Sequence, residues 1–256
     1  MDDFQNEVSE RINALGNNPV LSQSAAEFMR ASTEPKYCYN FTWQGRPIIQ
    51  YPQDIIAMQE LIWTVRPDLI IETGIAHGGS LIFSASMLAM LDMCDAIEMG
   101  TDFNPAVSQR KVLGIDIDIR SHNRRAIEAH PMASRIEMIE GSSIDSAIIS
   151  QVNAIVENYS TVLVCLDSNH THDHVLNELE AYAPLTSIGS YCVVFDTIVD
   201  DLPSDMYPDR PWGPGNNPKT ALREYLKTHS EFEIDKTIDS KLQISVAPDG
   251  YLKKVS

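Results

Sequence analysis

Asp68-Leu-Ile-Ile-Glu-Thr-Gly-Ile-Ala-His-Gly-Gly-Ser80 is the stretch whose reading decides the fold of this 256-residue chain. An apolar run ends in an acid, Glu72. A loop with Gly74, Gly78 and Gly79 follows, and an apolar helix starts at Ser80. Glycines at these positions let a ligand or another backbone come close, because no Cβ stands in the way. A dinucleotide fingerprint needs G-x-G-x-x-G, with its acid about 20 residues further on. The glycine spacing here does not meet that pattern, and the acid sits at the strand end itself.

Outward from this stretch the chain alternates. Strands are predicted at Leu69–Glu72, Lys111–Asp116, Arg135–Ile139, Thr161–Leu166 and Tyr191–Phe195. Helices are predicted at Ser80–Ile97, Ser121–Ala129, Asp145–Glu157 and Thr171–Tyr182. Continuous apolar strands alternating with helices indicate an α/β fold, a doubly wound and mostly parallel sheet covered on both faces. Upstream, residues 2–31 read as one or two amphipathic helices. Residues 33–52 read as irregular and aromatic-rich, and a helix is predicted at Gln53–Val65, stopped by Pro67. Downstream, a Pro/Gly-rich loop spans 201–218, followed by a helix at Pro218–His229 and strands near 231–235 and 242–247. The expected division is an N-terminal extension over 1–52 and a main domain over 53–256.

Composition narrows the function classes. The net charge of −17 argues against a nucleic-acid partner or an anionic membrane surface, both of which need clustered Lys and Arg. The four cysteines, Cys38, Cys94, Cys165 and Cys192, form no C-x-x-C pair, and two of them lie in predicted core strands. Free thiols suit a reducing cytoplasm. The first residues are polar and acidic and do not read as a signal peptide. No apolar run is expected to reach transmembrane length.

In a parallel sheet of this kind, ligands bind at the carboxyl ends of the strands. Acids stand at four of the five predicted ends: Glu72, Asp116, Asp167 and Asp196. The two oxygens of Asp116 match the vicinal diol of a ribose; a charge placed before the helix at Ser121 is the competing role. Asp167 and Asp196 end adjacent predicted strands. Converging carboxylates repel unless one is protonated or a cation lies between them, and Mg²⁺ or another hard divalent cation suits oxygen ligands. Helix capping is the alternative for that pair. Asp167-Ser-Asn-His-Thr-His-Asp-His174 holds three of the seven histidines, without a zinc-site pattern. His170, three residues past Asp167, suits a general base; a structural helix-start residue is the alternative. His77 reads as structural, and His122, His130 and His229 as surface residues.

Several blocks run in a single order: Gln50-Tyr-Pro-Gln-Asp54, Arg66-Pro-Asp-Leu-Ile-Ile-Glu-Thr-Gly74, His77-Gly-Gly-Ser80, Gly114-Ile-Asp-Ile-Asp-Ile-Arg120, Leu166-Asp-Ser-Asn-His-Thr-His-Asp-His-Val175, Phe195-Asp-Thr197 and Pro211-Trp-Gly-Pro-Gly215. Together they resemble the cephalosporin hydroxylase / rhamnosyl O-methyltransferase family, over roughly residues 40 to 230. The resemblance implies a class I methyltransferase fold, S-adenosylmethionine as methyl donor, Mg²⁺, and hydroxyl acceptors on sugars or natural products. By the same resemblance Glu72, Gly74 and Ser80 line the methionine end, Asp116 holds the ribose and Ser143 meets the adenine. Asp167 and Asp196 hold the metal and His170 is the base. Several members carry Glu-Asp where this chain has Phe195-Asp196, so one ligand is missing here. The iron chemistry suggested by the word hydroxylase finds no two-His-one-carboxylate set near these strand ends.

The loop 201–218, with Trp212, is expected to close over the acceptor; a plain connector is the alternative. Two other functions remain open from the residues: a nicotinamide-dependent oxidoreductase, and a non-catalytic nucleoside-binding scaffold. The N-terminal helices leave room for a homo-oligomer.

Overall fold

The computed structural model describes residues 3–105 and 107–256. Two helices come first, α1 (Asp3–Gly16) and α2 (Pro19–Thr33); residue 2, where the predicted helical stretch begins, lies outside the described residues. Asn18 caps α2 by accepting from the N–H groups of Val20 and Leu21, and Pro19 supplies its first residue. The irregular reading of 33–52 is corrected. After a short 3₁₀ turn the chain makes an antiparallel hairpin, β1 (Phe41–Trp43) and β2 (Arg46–Ile48). Gln44 and Gly45 take φ of 44° and 84°, the left-handed geometry that a two-residue hairpin turn requires.

The main sheet is built as the alternation predicts, with boundaries shifted by a residue or two. Helix α3 (Pro52–Val65) leads into β3 (Leu69–Thr73), α4 (Gly79–Met99), β4 (Lys111–Asp116), α5 (Ser121–Glu128) and β5 (Ile136–Glu140). Then come α6 (Ser146–Val156), β6 (Val162–Leu166), α7 (His172–Tyr182), β7 (Tyr191–Val194) and α8 (Pro218–Tyr225). The end of the chain departs from expectation. It forms β8 (Phe232–Ile234), a short helix α9 (Lys236–Leu242) and β9 (Tyr251–Lys254), so 242–247 is not a strand. That segment alternates apolar and polar residues as a strand does, but its hydrogen bonds go to a buried carboxylate. Asp54 accepts from Ser245 Oγ and the Val246 N–H.

The seven-stranded sheet has the order β5-β4-β3-β6-β7-β9-β8. Strands β3 to β7 pair parallel, while β9 pairs antiparallel with both β7 and β8. The chain moves outward from β3 through β4 to β5, then returns to place β6 on the other side of β3. The switch point therefore lies between β3 and β6, where a doubly wound sheet opens its crevice. Two apolar layers cover the sheet. One face packs Ile70, Val112 and Leu163 against α3 and α4; the other packs Leu69, Leu113 and Val164 against α6, α7 and α8.

Helix α4 corrects a third expectation. Its 21 residues have the length and composition of a membrane span. Half of its most apolar window is buried inside the protein, with Leu81, Ile82, Ala85 and Leu88 in the core. The first half of α4 thus packs on the sheet, while Met90, Met93, Ile97 and Met99 further along it are exposed.

Candidate functional site

The glycine loop between β3 and α4 is held from three sides. Gly74, at φ 91°, lies against β6's end: a Cβ there would stand 2.0 Å from the Asp167 carbonyl oxygen. Gly79 lies under the hairpin, where a Cβ would stand 2.1 Å from the Pro47 carbonyl oxygen. Arg46 of the hairpin donates from Nε to the His77 carbonyl oxygen at 3.0 Å and from its guanidinium to Asn123 Oδ1 at 3.0 Å. His77 thus has the structural part predicted for it, through its backbone. Trp43 Nε1 donates to Ser86 Oγ at 3.0 Å, which seats the hairpin on α4.

Asp116 closes the third side. Its Oδ2 accepts from the N–H groups of Ile75 at 2.8 Å and Ala76 at 3.2 Å, and its Oδ1 from the Asp118 N–H at 3.1 Å. It therefore braces the glycine loop; the residue at the start of α5 is Arg120. Glu72 is buried beneath the loop and accepts from Ser80 Oγ. Burial pushes its carboxyl up to about 7, against the opposing hydrogen bond from Ser80. Ser143 is buried, with Oγ 3.1 Å from His174 Nε2 and its carbonyl oxygen accepting from Tyr182 OH at 2.5 Å. His174 Nε2 also lies 3.2 Å from Ser168 Oγ, which donates to the buried Glu178 at 2.6 Å. Sequence reasoning did not find this link between Ser143 and α7, because nothing local marks His174 apart from its histidine neighbours.

A cavity of about 1050 Å³ opens over the carboxyl ends of β3, β6 and β7. Gly74, Ser80, Asp167, His170 and Asp196 all line it. Asp116, Ser143 and Glu72 do not; they stand behind or beside its wall. Among the described residues, Asp167, His170 and Asp196 form one cluster whose potential ligand atoms lie within 4.8 Å of one another. His170 Nε2 is 3.2 Å from Asp196 Oδ2. Neither carboxylate is occupied in capping. Helix α7 starts after Thr171, and Asp196, at φ 55°, makes no side-chain cap to the 3₁₀ turn that follows it. Burial first, and then the charges of Asp196, Glu72, Glu178 and Asp54, push the Asp167 carboxyl well above the usual range. Two oxygens and an imidazole nitrogen, in a site that penalises bare negative charge, are a donor set that fits a divalent cation. Phe195 is buried in the core, so β7 offers Asp196 alone.

The outer half of the cavity is aromatic. Tyr39 comes from the turn before the hairpin, while Tyr207, Arg210 and Trp212 come from the 201–218 segment. The Trp212 ring meets His170 edge-on, with centroids 4.9 Å apart, and the Arg210 guanidinium lies 5.1 Å from the Trp212 ring. The far end of the segment is fastened. Asp200 accepts from the Gly215 N–H at 3.0 Å and Asn217 Nδ2 at 2.8 Å, and Asn216 accepts from the His172 N–H at 2.9 Å. His172 points away from the cavity, its Nδ1 2.8 Å from Thr220 Oγ1. Of the histidines predicted at the surface, His122 is exposed and His130 half-buried. His229 is likewise half-buried and stacks on Tyr225 with centroids 3.7 Å apart.

Known proteins share this architecture. The family model for "Rhamnosyl O-methyltransferase/CmcI" matches residues 35–255. A rhamnosyl O-methyltransferase of Mycobacterium tuberculosis is 29% identical over 216 residues, covering 82% of this chain and 77% of that protein. A CmcI structure described as a Mg–SAM form superposes with a TM-score of 0.55 at 18% identity, over 85% of this chain and 78% of that one. An apo TDP-rhamnose 3′-O-methyltransferase of calicheamicin biosynthesis superposes with a TM-score of 0.50 at 18% identity, over 92% and 91%. With the family model spanning nearly the whole chain, this protein belongs to the rhamnosyl O-methyltransferase/CmcI family.

Proposed function

We infer that this protein is an S-adenosylmethionine-dependent, Mg²⁺-assisted O-methyltransferase acting on a hydroxyl of a sugar or other natural-product small molecule. The observation that carries this reading is the Asp167–His170–Asp196 cluster at the lip of a glycine-loop cavity. Two names add support: the Mycobacterium relative is a rhamnosyl O-methyltransferase, and the CmcI structure holds Mg and SAM by its description. The oxidoreductase alternative has no matching glycine pattern, and a scaffold would not need a cation cluster.

The residues divide the work by position. Gly74 and Ser80 line the methionine end of the donor site, over the buried Glu72. Asp116 accepts the ribose hydroxyls with the lone pairs that the glycine loop leaves free. The family resemblance gives Ser143 to the adenine, although here it stands buried behind the cavity wall, bonded to His174. Asp167 and Asp196 hold the cation. When bound, the cation lowers the pKa of the acceptor hydroxyl, and the sulfonium donor supplies the methyl group. His170 takes the hydroxyl proton on Nδ1, its ring held by the contact of Nε2 with Asp196 on one side and by Trp212 on the other. Holding donor and acceptor in line supplies much of the rate. The 205–212 segment excludes water from above and presents aromatic faces to the acceptor. The four free cysteines fit action in a reducing cytoplasm.

One observation favours a second role for His170. It lies within the cation cluster, and β7 lacks the extra acid carried by several members of the family, so its imidazole is placed to serve as a third ligand. His170→Ala separates the two. As the base, it loses about 10²- to 10⁴-fold in turnover with cation affinity kept. As a ligand, it loses cation affinity as well.

The test of the whole reading is calorimetric titration with S-adenosylmethionine, in Mg²⁺ and then in EDTA, followed by transfer of a labelled methyl group to rhamnosyl and other hydroxylated acceptors. Micromolar binding with transfer is the expected result. Absence of binding in both conditions would overturn it.

A further inference from the structure

The stretch Gln50-Tyr-Pro-Gln-Asp54 joins the hairpin to α3, and three of its members have evident structural roles. Tyr51 OH pairs with Ser32 Oγ at 2.8 Å. Pro52 opens α3. Asp54 is fully buried and gathers three donors from the C-terminal segment.

Gln50 has no such role, and nothing in the reaction above uses it. It is 7% exposed and lines the cavity. Its Nε2 donates to Asp167 Oδ2 at 3.2 Å, while its Oε1 is buried without a partner. Chemistry fixes this orientation of the amide. With a cation bound Asp167 is ionised and only accepts, so the NH₂ end faces it. The orphaned Oε1 opposes folding, because a buried acceptor has lost water and gained nothing. A methionine has nearly the same length and shape and carries no such orphan. Packing and stability therefore do not account for a glutamine here; the bond to Asp167 does. Among the described residues, no other side chain donates a hydrogen bond to the Asp167 carboxylate.

We propose that Gln50 is a positioning residue for the cation site: its N–H holds Asp167 Oδ2, fixes the rotation of that carboxylate and turns its remaining lone pairs toward His170 and Asp196. This role rests on the cation reading given above. Groups that orient a metal's ligands typically influence affinity by about 10- to 100-fold.

The experiment is a Mn²⁺ titration of the full chain followed by electron paramagnetic resonance, without donor or acceptor, with thermal unfolding recorded in EDTA. Gln50→Met should bind Mn²⁺ about 10- to 100-fold more weakly than the unmodified chain. It should unfold in EDTA at nearly the same temperature, because loss of the orphaned oxygen offsets loss of the bond to Asp167. Gln50→Glu keeps the length, removes the donor and sets a third carboxylate beside Asp167. It should unfold earlier in EDTA and bind Mn²⁺ at least as tightly as the unmodified chain, because the cation relieves the repulsion. These opposite movements are not what a merely structural residue would give. Gln50→Met with unchanged Mn²⁺ affinity would overturn the proposal, as would both variants losing affinity in step with lost stability. An unmodified chain that binds no Mn²⁺ would instead overturn the cation site itself, and this role with it. Loss of binding in Asp167→Asn while the unmodified chain binds would confirm that the signal comes from this site.

Discussion

At the scale of single residues, the tightest constraint is Gly74. It combines a φ of 91° with a backbone approach to Asp167 that no Cβ can enter. Gly74→Ala should therefore lose at least about 2 kcal/mol of stability, from positive-φ strain plus the clash, and weaken donor binding with it. Urea unfolding measures the first, and an unchanged midpoint would contradict the geometry. Asp167 is the opposite case, a residue that the fold tolerates at a cost. Burial and four neighbouring acids raise its carboxyl pKa well above normal. Asp167→Asn should then raise the melting temperature in EDTA by a few degrees, about 2–4 °C per kcal/mol for a chain of this size. It should also abolish the upward shift that Mg²⁺ gives the unmodified chain. A Mg²⁺ shift that survives in Asp167→Asn would place the cation elsewhere.

At the scale of elements, the middle of the sheet was legible because β3, β4, β6 and β7 are largely apolar runs with an acid at or just past their ends. Glu72, Asp116, Asp167 and Asp196 could be listed before any coordinates, and three of the proposed site residues (Asp167, His170, Asp196) do converge. Less legible were elements with short or misleading signals. The hairpin has two strands of three residues, too short for period-two alternation to register; Gln44-Gly45 was its one local mark. The 242–247 segment alternates like a strand, yet its bonds run to Asp54, 191 and 192 residues away in sequence. The bond from Gln50 to Asp167 spans 117 residues, a contact that only the fold brings about. These two long-range ties carry predictions of their own. Asp54 accepts from Ser245 Oγ at 2.6 Å, Tyr251 OH at 2.8 Å and the Val246 N–H at 2.9 Å. Asp54→Ala would strand all three donors and should lose about 3 kcal/mol or more in urea unfolding. Arg46→Ala removes the guanidinium from the His77 carbonyl and Asn123. It should loosen the glycine loop, weakening donor affinity in calorimetry more than it lowers the melting temperature. A large fall in stability with unaltered donor affinity would mean that the hairpin serves the fold rather than the loop.

At the scale of the whole molecule, the distribution of acids predicts how stability follows pH. Burial pushes Glu72 up to about 7, Asp54 to about 6 despite its three hydrogen bonds, and Asp239 to about 6 despite Lys236. For each, the folded value lies above the unfolded one. The folded chain therefore holds more protons than the unfolded chain between roughly pH 4 and 7, and the stability from this linkage is lost as pH rises through 6 to 7. Asp92 and Asp200 work in the opposite sense. Burial opposes their ionisation, but hydrogen bonds from Ser108, Arg135 and Arg110 to Asp92, and from Asn217 and Gly215 to Asp200, hold both below the usual value. Their contribution is present above the unfolded carboxylate range and lost as pH falls through their folded values. Stability in EDTA should accordingly be greatest near about pH 4, between the loss of the lowered acids below it and of the raised acids above it, with a melting temperature at pH 5.5 still about 5 °C or more above that at pH 8. General repulsion at a net charge of −17 acts in the same direction as the raised acids, so the two causes must be separated. Salt near 1 M screens exposed charges over about 3 Å but leaves buried groups largely unscreened. If the buried carboxylates govern the slope, the difference between pH 5.5 and 8 persists in high salt and shrinks in Glu72→Gln. If salt erases it, surface repulsion is the cause and the buried acids are better accommodated than their surroundings indicate.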